Sequence, residues 1–291
     1  MARLRDADLA TLLLTSRLVE SAAPPLRASE YWALAADVDL ASLLGDDHAA
    51  LAEKLGADLG ERVARLLDRA AALAFAVEDL EQQGISTIAA GNEGYPVRWR
   101  ERLGPSAPSH VHLAGPADLV LRPAVGIVGA CSTEPRPESL DVARAAAQHA
   151  VERRHAVVVG ATTGFDSAAA ATAIGSGGHV VAILADSLFR AARDVEVRRA
   201  VIDGYLCLVT PYPPAAVALG RAKLIYALAD ITVVIACDPE RGEAWEGARA
   251  AIDRDPTSVT AWLGPGAGPG NDRLVEAGAR PLTDLGQLAP G

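Results

Sequence analysis

Two glycine-containing segments that follow apolar runs have the residue types and spacing of a ligand-binding turn. In the first, residues 157–159 form a short β-branched run, and the candidate ligand residues follow it: Gly160, Thr162, Thr163, Gly164 and Asp166. A buried parallel strand is typically such an apolar run, and glycines after it let backbone N–H groups approach a bound group at the N-terminus of the next helix. The pattern predicts a site for an anion.

An upstream segment has the same order of residues. The apolar run 124–128 ends at Gly129, and Ser132 follows before a helical pattern begins at Glu138. Because the carboxyl ends of parallel strands share one edge of a sheet, we expect both turns to line one pocket. Two simpler interpretations stay open: the glycines make ordinary strand-to-helix turns, and Asp166 only caps the following helix.

Two cations are expected to converge on the same edge. Arg221 and Lys223 lie near the start of a helical pattern that precedes the apolar strand 230–236. Cations are unfavourable at the positive end of a helix, so these side chains require an anionic partner. The other possibility is exposure beside an acidic neighbour.

A further pair of candidate residues follows that strand. Arg241 and Gly242 lie at the mouth of the next helix, close to Trp245. Trp245 can stack on a base, although an aromatic residue in a first helical turn more often belongs to the core. Glu243 and Glu246 are interpreted as solvated acids, which the helix dipole favours at this end.

Several common chemistries are not indicated. The sequence has no G-x-G-x-x-G turn followed by an acidic residue for a ribose, and no G-x-x-x-x-G-K-[ST] loop. The segment 175–177 is interpreted as a helix end and not as a nucleophile elbow. His110 and His112 alternate on one strand face without a third ligand nearby in sequence, and are interpreted as structural. We therefore predict no metal, no cofactor and no catalysis.

Composition limits the class of protein. The chain has 291 residues, 50% of them hydrophobic, and a formal net charge of −10. This charge argues against a uniformly basic nucleic-acid binder but allows a local basic patch. The three cysteines lack C-x-x-C spacing, and no run of about 18 apolar residues or signal-peptide pattern occurs. We expect a cytoplasmic protein that does not bind membranes.

Two parts with different patterns are predicted. Residues 1–118 are predicted to form a smaller helical domain that ends in a connecting segment with strand patterns at 85–115, and residues 119–291 an α/β domain. The helical patterns of the first part cover 6–21, 29–37, 40–44, 47–55 and 60–83. In the second part strands are expected at 124–128, 156–159, 179–184, 205–209, 230–236 and 257–262, alternating with helices at 138–152, 166–175, 190–203, 216–228, 243–253 and 271–277. This alternation predicts a Rossmann-like, doubly wound, mostly parallel sheet.

The same segments, in the same order, resemble the DNA-processing protein A (DprA/Smf) family over almost the whole chain. The resemblance rests on Gly126-Ile-Val-Gly129, Gly160-x-x-x-Gly164-x-Asp166, Gly177-Gly-His-Val-Val-Ala-Ile-Leu184, Gly220-Arg-x-Lys-Leu-Ile-Tyr-Ala-Leu-Ala-Asp230, Trp245-Glu-Gly-Ala248, Gly270-Asn-x-x-Leu-Val and, in the connecting segment, Asn92-Glu-Gly-Tyr-Pro96. The chain departs from the family pattern where Val159 and Thr163 replace a Ser and an Arg. No winged-helix domain is expected to follow.

The resemblance implies a non-enzymatic protein that binds single-stranded DNA, forms a homodimer and helps to load a RecA-type recombinase in natural transformation. The alternative is a nucleotide or phosphate-ligand sensor of the same superfamily, in a phage-defence or toxin–antitoxin setting. A third hypothesis is a hydrolase of nucleotide N-glycosidic bonds. Such an enzyme would be expected to have a P-G-G-x-G-T-x-x-E turn, which Arg241-Gly-Glu-Ala-Trp-Glu246 matches poorly.

Overall fold

The computed structural model describes residues 5–130, 134–160, 163–184, 187–213 and 221–288. The chain divides into two compact units. The first comprises Met1–Ala114 with Thr210–Pro214, and the second comprises Gly115–Val209 with Ala215–Gly291. Within the described ranges, no helix is long and apolar enough to cross a membrane.

The first unit is mainly helical. Its elements are α1 (Asp6–Thr15), α2 (Ala28–Asp37), α3 (His48–Leu55), α4 (Ala57–Leu67), α5 (Ala70–Gln82), β1 (Ser86–Ala89), α6 (Val97–Leu103) and β2 (His110–Ala114), with short 3-10 helices at Leu40–Gly45 and Gly104–Ser106. β1 and β2 pair antiparallel, with Ser86 opposite Leu113. Leu14, Leu43 and Leu66 are among the fully buried residues of its core, which collects the apolar faces of the amphipathic helices.

Two helix predictions in this unit are wrong. The helix expected over 60–83 is divided into α4 and α5, and the helix expected over 6–21 ends at Thr15. One residue explains both differences. The guanidinium of buried Arg69, located at the break between α4 and α5, donates hydrogen bonds to the carbonyl oxygens of Leu13, Ser16 and Val19. It thereby satisfies carbonyl groups left unpaired where α1 ends. Helix α6 was not predicted.

The second unit alternates strands and helices. Its strands are β3 (Ala124–Ala130), β4 (Ala156–Val159), β5 (Val180–Ile183), β6 (Leu206–Thr210), β7 (Ile231–Cys237), β8 (Val259–Trp262) and β9 (Arg280–Leu282). Its helices are α7 (Pro137–Glu152), α8 (Phe165–Gly175), α9 (Leu188–Ala191), α10 (Val195–Ile202), α11 (Ala222–Leu228), α12 (Gly242–Ile252) and α13 (Asn271–Glu276), with 3-10 turns at Ala117–Leu121, Pro256–Ser258 and Leu285–Gln287.

The seven strands lie side by side in the order β6-β5-β4-β3-β7-β8-β9. Each neighbouring pair is parallel; Val125, for example, lies opposite Val157 of β4 on one side and Ile231 of β7 on the other. The chain winds outward from β3 in one direction and then from β7 in the other, so the crevice outside their carboxyl ends is the usual ligand position of such a sheet. The predicted Rossmann-like α/β fold is confirmed.

Smaller differences from the predicted elements have local causes. The helix expected over 190–203 is two helices, since Ser187 and Asp194 each accept a hydrogen bond from a backbone N–H three residues later and begin a new helix. Strand β9, only three residues long, was not predicted. The first part of the helix expected over 216–228 falls outside the described residues, and α11 begins at Ala222.

Candidate functional site

Three of the predicted site residues lie together at the carboxyl end of β4. A Cβ atom added to Gly160 would lie 2.8 Å from Oδ2 of Asp166 and 2.9 Å from Nε of Arg221. Position 160 therefore has no room for a side chain, and a carboxylate and a guanidinium approach the backbone there. Asp166 is buried, while Arg221 keeps 20% of its side chain exposed and can contact a ligand.

The turn into α8 requires glycine at position 164. Gly164 has φ +82° and ψ −120°, a conformation that L side chains rarely adopt, and it is the N-cap of α8. Asp166 is therefore not the N-cap, and that alternative is wrong: it lies within the first turn, where the helix dipole favours its negative charge. The amide end of this 11-residue helix faces the turn, as an anion-binding site requires.

Arg221 has an acidic neighbour, as the alternative interpretation of the two cations expected, but only 20% of its side chain is exposed. Its Nε lies 3.7 Å from Oε2 of Glu243, which is in the first turn of α12. The packing of α11 on α12 brings the two together: the Tyr226 hydroxyl donates to the carbonyl oxygen of Ala244 at 2.9 Å, and the Tyr226 ring covers Gly247. Glu243 is thus an ion-pair partner of the candidate cation and not a solvated acid; Glu246 is exposed.

At the switch point between β3 and β7, packing occupies the position that a ligand was expected to take. The ring of Phe165 lies so close to Gly129 that an added Cβ would overlap it. The pairing of β3 with β7 shifts register between Val128 and Gly129. Buried Asn271 holds the end of β7, accepting from the backbone N–H of Cys237 at 3.1 Å and donating to the carbonyl of Ile235 at 2.9 Å. Gly129 thus makes room for Phe165.

The remaining predicted residues are more dispersed. Lys223 and Thr163 are exposed. Arg241, with 68% of its side chain exposed, lies 3.6 Å from Asp238, and Gly242 begins α12 with φ +84°. Trp245 is half-buried. Ser132 and Thr162 lie outside the described residues.

An apolar cleft adjoins Asp166. It has a volume of about 560 Å³ and lies beside β4, β5 and β6, between α8 and α10. Most of its walls are small or branched apolar side chains, among them Val159, Ala170 and Val197, and Asp166 is one of the few charged groups that face it. The cleft has the size of a small-molecule pocket.

His110 and His112 do not form a metal site. Both are buried in β2; Nδ1 of His110 lies 3.1 Å from Thr15 Oγ1, and Nδ1 of His112 lies 2.9 Å from Thr87 Oγ1. Burial lowers the pKa of His110 to about 4, and burial together with the neighbouring His110 lowers the pKa of His112 well below its usual value. No group of metal-ligating side chains occurs among the described residues.

A doubly wound parallel sheet with a glycine turn, a helix N-terminus and an arginine at its carboxyl edge defines a Rossmann-like α/β protein. The particular family follows from sequence. The model of the DNA recombination-mediator protein A family matches residues 86–290, and the chain belongs to this family, as the resemblance predicted. Among curated proteins, none matches the sequence.

Two solved structures share the fold. DNA processing protein A from Streptococcus pneumoniae has a TM-score of 0.63 and 18% identity, over 90% of this chain and 96% of its own. DNA processing protein A from Helicobacter pylori, described for its single-stranded DNA binding mode, has a TM-score of 0.55 and 16% identity, over 69% of this chain and 92% of its own. At such identities the likeness concerns the fold.

Proposed function

We propose that this chain is a non-enzymatic protein that binds single-stranded DNA in DNA processing, recombination or uptake. The observation that supports the proposal best is the approach of Arg221 to the Gly160 turn, beside the N-terminus of α8. A phosphate placed there would meet the positive end of a helix dipole and a guanidinium, and it would have to replace the carboxylates beside Arg221. Membership of the recombination-mediator family gives this anion site its context.

The strand would follow the carboxyl edge of the sheet and contact more than one cation. Lys223 is exposed one residue inside α11, and Arg241 is exposed at the start of α12. Arg241 also pairs with Asp238, so a phosphate would compete with that carboxylate, whereas Arg221 is already directed to the turn. Because the whole chain carries a net charge of −10, these local cations must provide the attraction, and affinity should fall steeply as salt rises.

The first test removes two of these cations. Replacing Arg221 and Lys223 together by Ala should weaken binding of a labelled oligo-dT by more than tenfold in fluorescence anisotropy and reduce the dependence on salt by about two phosphate contacts. The control is the double variant Arg65→Ala/Arg144→Ala, which makes the same change in net charge at exposed arginines elsewhere. Equal affinities of the two double variants would contradict the proposal.

A nucleotide sensor is the second candidate function, and the apolar cleft beside Asp166 favours it. A base could occupy such a cleft while its phosphate reaches the Gly160 turn. The two functions differ in ligand size: affinity for a strand rises with oligonucleotide length until the footprint is filled, whereas a sensor saturates with one small nucleotide. Titrations with oligo-dT of increasing length, beside a panel of mononucleotides and cyclic dinucleotides, separate them.

The proposal includes two partners. A recombination mediator requires a recombinase to receive the strand, so we include a RecA-type protein. A homodimer would join two sites on one strand and raise the avidity of weak individual contacts. A pull-down with RecA in the presence and absence of oligo-dT tests the recombinase. Light scattering of the protein with and without oligo-dT tests the homodimer.

A further inference from the structure

A second group of basic side chains lies at the opposite, amino-terminal edge of the parallel sheet. His155 and His179 immediately precede β4 and β5, and Arg122 precedes β3 by one further residue. These three strands are neighbours. Hydrogen bonds between the strands bring these three residues close together. The backbone N–H of Ala156 donates to the carbonyl of Pro123, and that of Val157 donates to the carbonyl of His179, both at 2.9 Å. Three basic side chains therefore start from adjacent positions.

Together with Arg154, these side chains line a pocket of about 280 Å³. Gly177 and Gly178 lie on another part of its wall; the space beside Gly177 is open, whereas the missing side chain of Gly178 makes room for Val151. No acidic residue is among those that line the pocket in the described part of the chain. In a protein of net charge −10, this pocket is lined by two arginines and has no acidic residue among its described lining residues.

Arg122 and His179 are already held in place. The Arg122 guanidinium donates to Oδ2 of Asp118 at 2.8 Å, and its Nη1 lies 3.2 Å from Nδ1 of His179. Asp118 thus orients Arg122 from outside the pocket. Burial, and then the positive charge of Arg122, lower the pKa of His179. A bound anion would offset the charge of Arg122 and raise the pKa of His179 again.

Arg154 is the second arginine of the pocket. It is exposed, and no ion pair to it occurs among the described residues. It also has φ +61°, at the position after α7 where glycine is usual. The dipole of α7 favours cations at this end, but Arg153 already supplies one. A side chain other than glycine at position 154 strains the backbone, and Arg154 is among the residues that line the pocket.

His155 adds an unsatisfied group. Its Nδ1 is buried and has no hydrogen-bond partner. Because this nitrogen is closed to solvent, a ligand oxygen in the pocket reaches it only after the imidazole ring turns, and that hydrogen bond would then satisfy it.

We propose that this pocket at the amino-terminal edge of the sheet is a binding site for a small phosphomonoester, separate from the candidate DNA site. Arg154 and Arg122 contact the phosphate, and His155 donates to one of its oxygens. The pocket is larger than a phosphate ion alone, so the remaining space beside Gly177 takes the group that carries the phosphate, such as a pentose.

The test uses ribose 5-phosphate and inorganic phosphate as probes, at constant ionic strength, with the histidine ring C–H resonances as reporters. We expect saturable shifts at His155 and His179, and tighter binding of ribose 5-phosphate than of inorganic phosphate. Arg154→Gly should weaken the affinity for ribose 5-phosphate by about tenfold or more. Because glycine suits φ +61°, this variant keeps the fold.

Arg153→Ala is the matched control: it removes the neighbouring positive charge outside the pocket and should change affinity by less than about twofold. Arg221→Ala should weaken oligo-dT binding and leave the ribose 5-phosphate shifts unchanged, so the two sites fail independently. Absence of saturable shifts at His155 and His179 would overturn the proposal. Equal losses of affinity for ribose 5-phosphate in the Arg154→Gly and Arg153→Ala variants would also overturn it. Equal affinities for ribose 5-phosphate and inorganic phosphate would show that the pocket recognises only the anion, which contradicts a phosphomonoester site.

Discussion

Arg221 is the side chain on which the candidate DNA site depends, and two carboxylates compete for its charge. Asp166 approaches the same point above Gly160, and Glu243 lies 3.7 Å from Arg221 Nε. Asp166 is buried and fixed by the first turn of α8, whereas Glu243 keeps 36% of its side chain exposed and can move away. A bound phosphate therefore replaces Glu243 more readily than Asp166.

We expect Glu243→Gln to strengthen binding of oligo-dT by about threefold to tenfold, because it frees Arg221 from a partly exposed ion pair worth at most about 1 kcal/mol and removes repulsion of the incoming phosphate. Glu246→Gln, at an exposed position in the same helix, makes the same change in charge and should have less than about a twofold effect. Fluorescence anisotropy measures both. If the two variants gain equally, net charge and not Arg221 controls the affinity.

Helices and strands differ in how far the sequence predicts them. The central strands are predicted to within about two residues because each is a continuous β-branched run; β4, for example, occupies 156–159 as expected. The break between α4 and α5 was missed because it depends on carbonyl groups about fifty residues earlier in the chain, which Arg69 contacts. Periodicity within one segment cannot report such a partner.

The same limit applies to the candidate site. The rule that parallel strands end at one edge predicted that Gly160, Asp166 and Arg221 would lie close together. It could not predict the Arg221–Glu243 pair, which depends on how Tyr226 packs α11 against α12. Nor could it predict that the Phe165 ring covers Gly129, because the two residues belong to separate turns of the sequence.

Arg69 joins α5 to the end of α1, so its loss should destabilise the first unit. We expect Arg69→Met to lower the free energy of unfolding by about 2–4 kcal/mol, since buried carbonyl oxygens lose their donors. Urea unfolding followed by circular dichroism measures the change. Arg65→Met, at an exposed arginine that pairs with Glu61 in the same helix, should cost less than about 0.5 kcal/mol. If Arg69→Met lowered the free energy of unfolding as little as Arg65→Met, the break between α4 and α5 would not depend on Arg69.

Charge is unevenly distributed when the molecule is considered as a whole. The chain has 37 acidic and 27 basic side chains, so a polyanion is repelled at long range. In the two proposed sites, attraction comes from local groups of cations, at opposite edges of one parallel sheet. High salt therefore weakens the contacts of a strand with its several phosphates more than it weakens a pocket that holds one phosphate.

Stability of the whole molecule should also depend on pH through the buried histidines of β2. His110 is neutral in the folded protein, with its pKa lowered to about 4, while the unfolded chain binds a proton near pH 6.5. The unfolded state thus binds more protons in this window, so stability falls as pH decreases from about 6.5 to about 4, by roughly 3 kcal/mol for this residue. His112, whose pKa is also lowered, acts in the same direction. His110→Asn should reduce this loss in urea unfolding between pH 7.5 and 4.5, whereas His48→Asn, an exposed histidine, should keep the wild-type slope. A wild-type slope in His110→Asn would show that acid instability arises elsewhere.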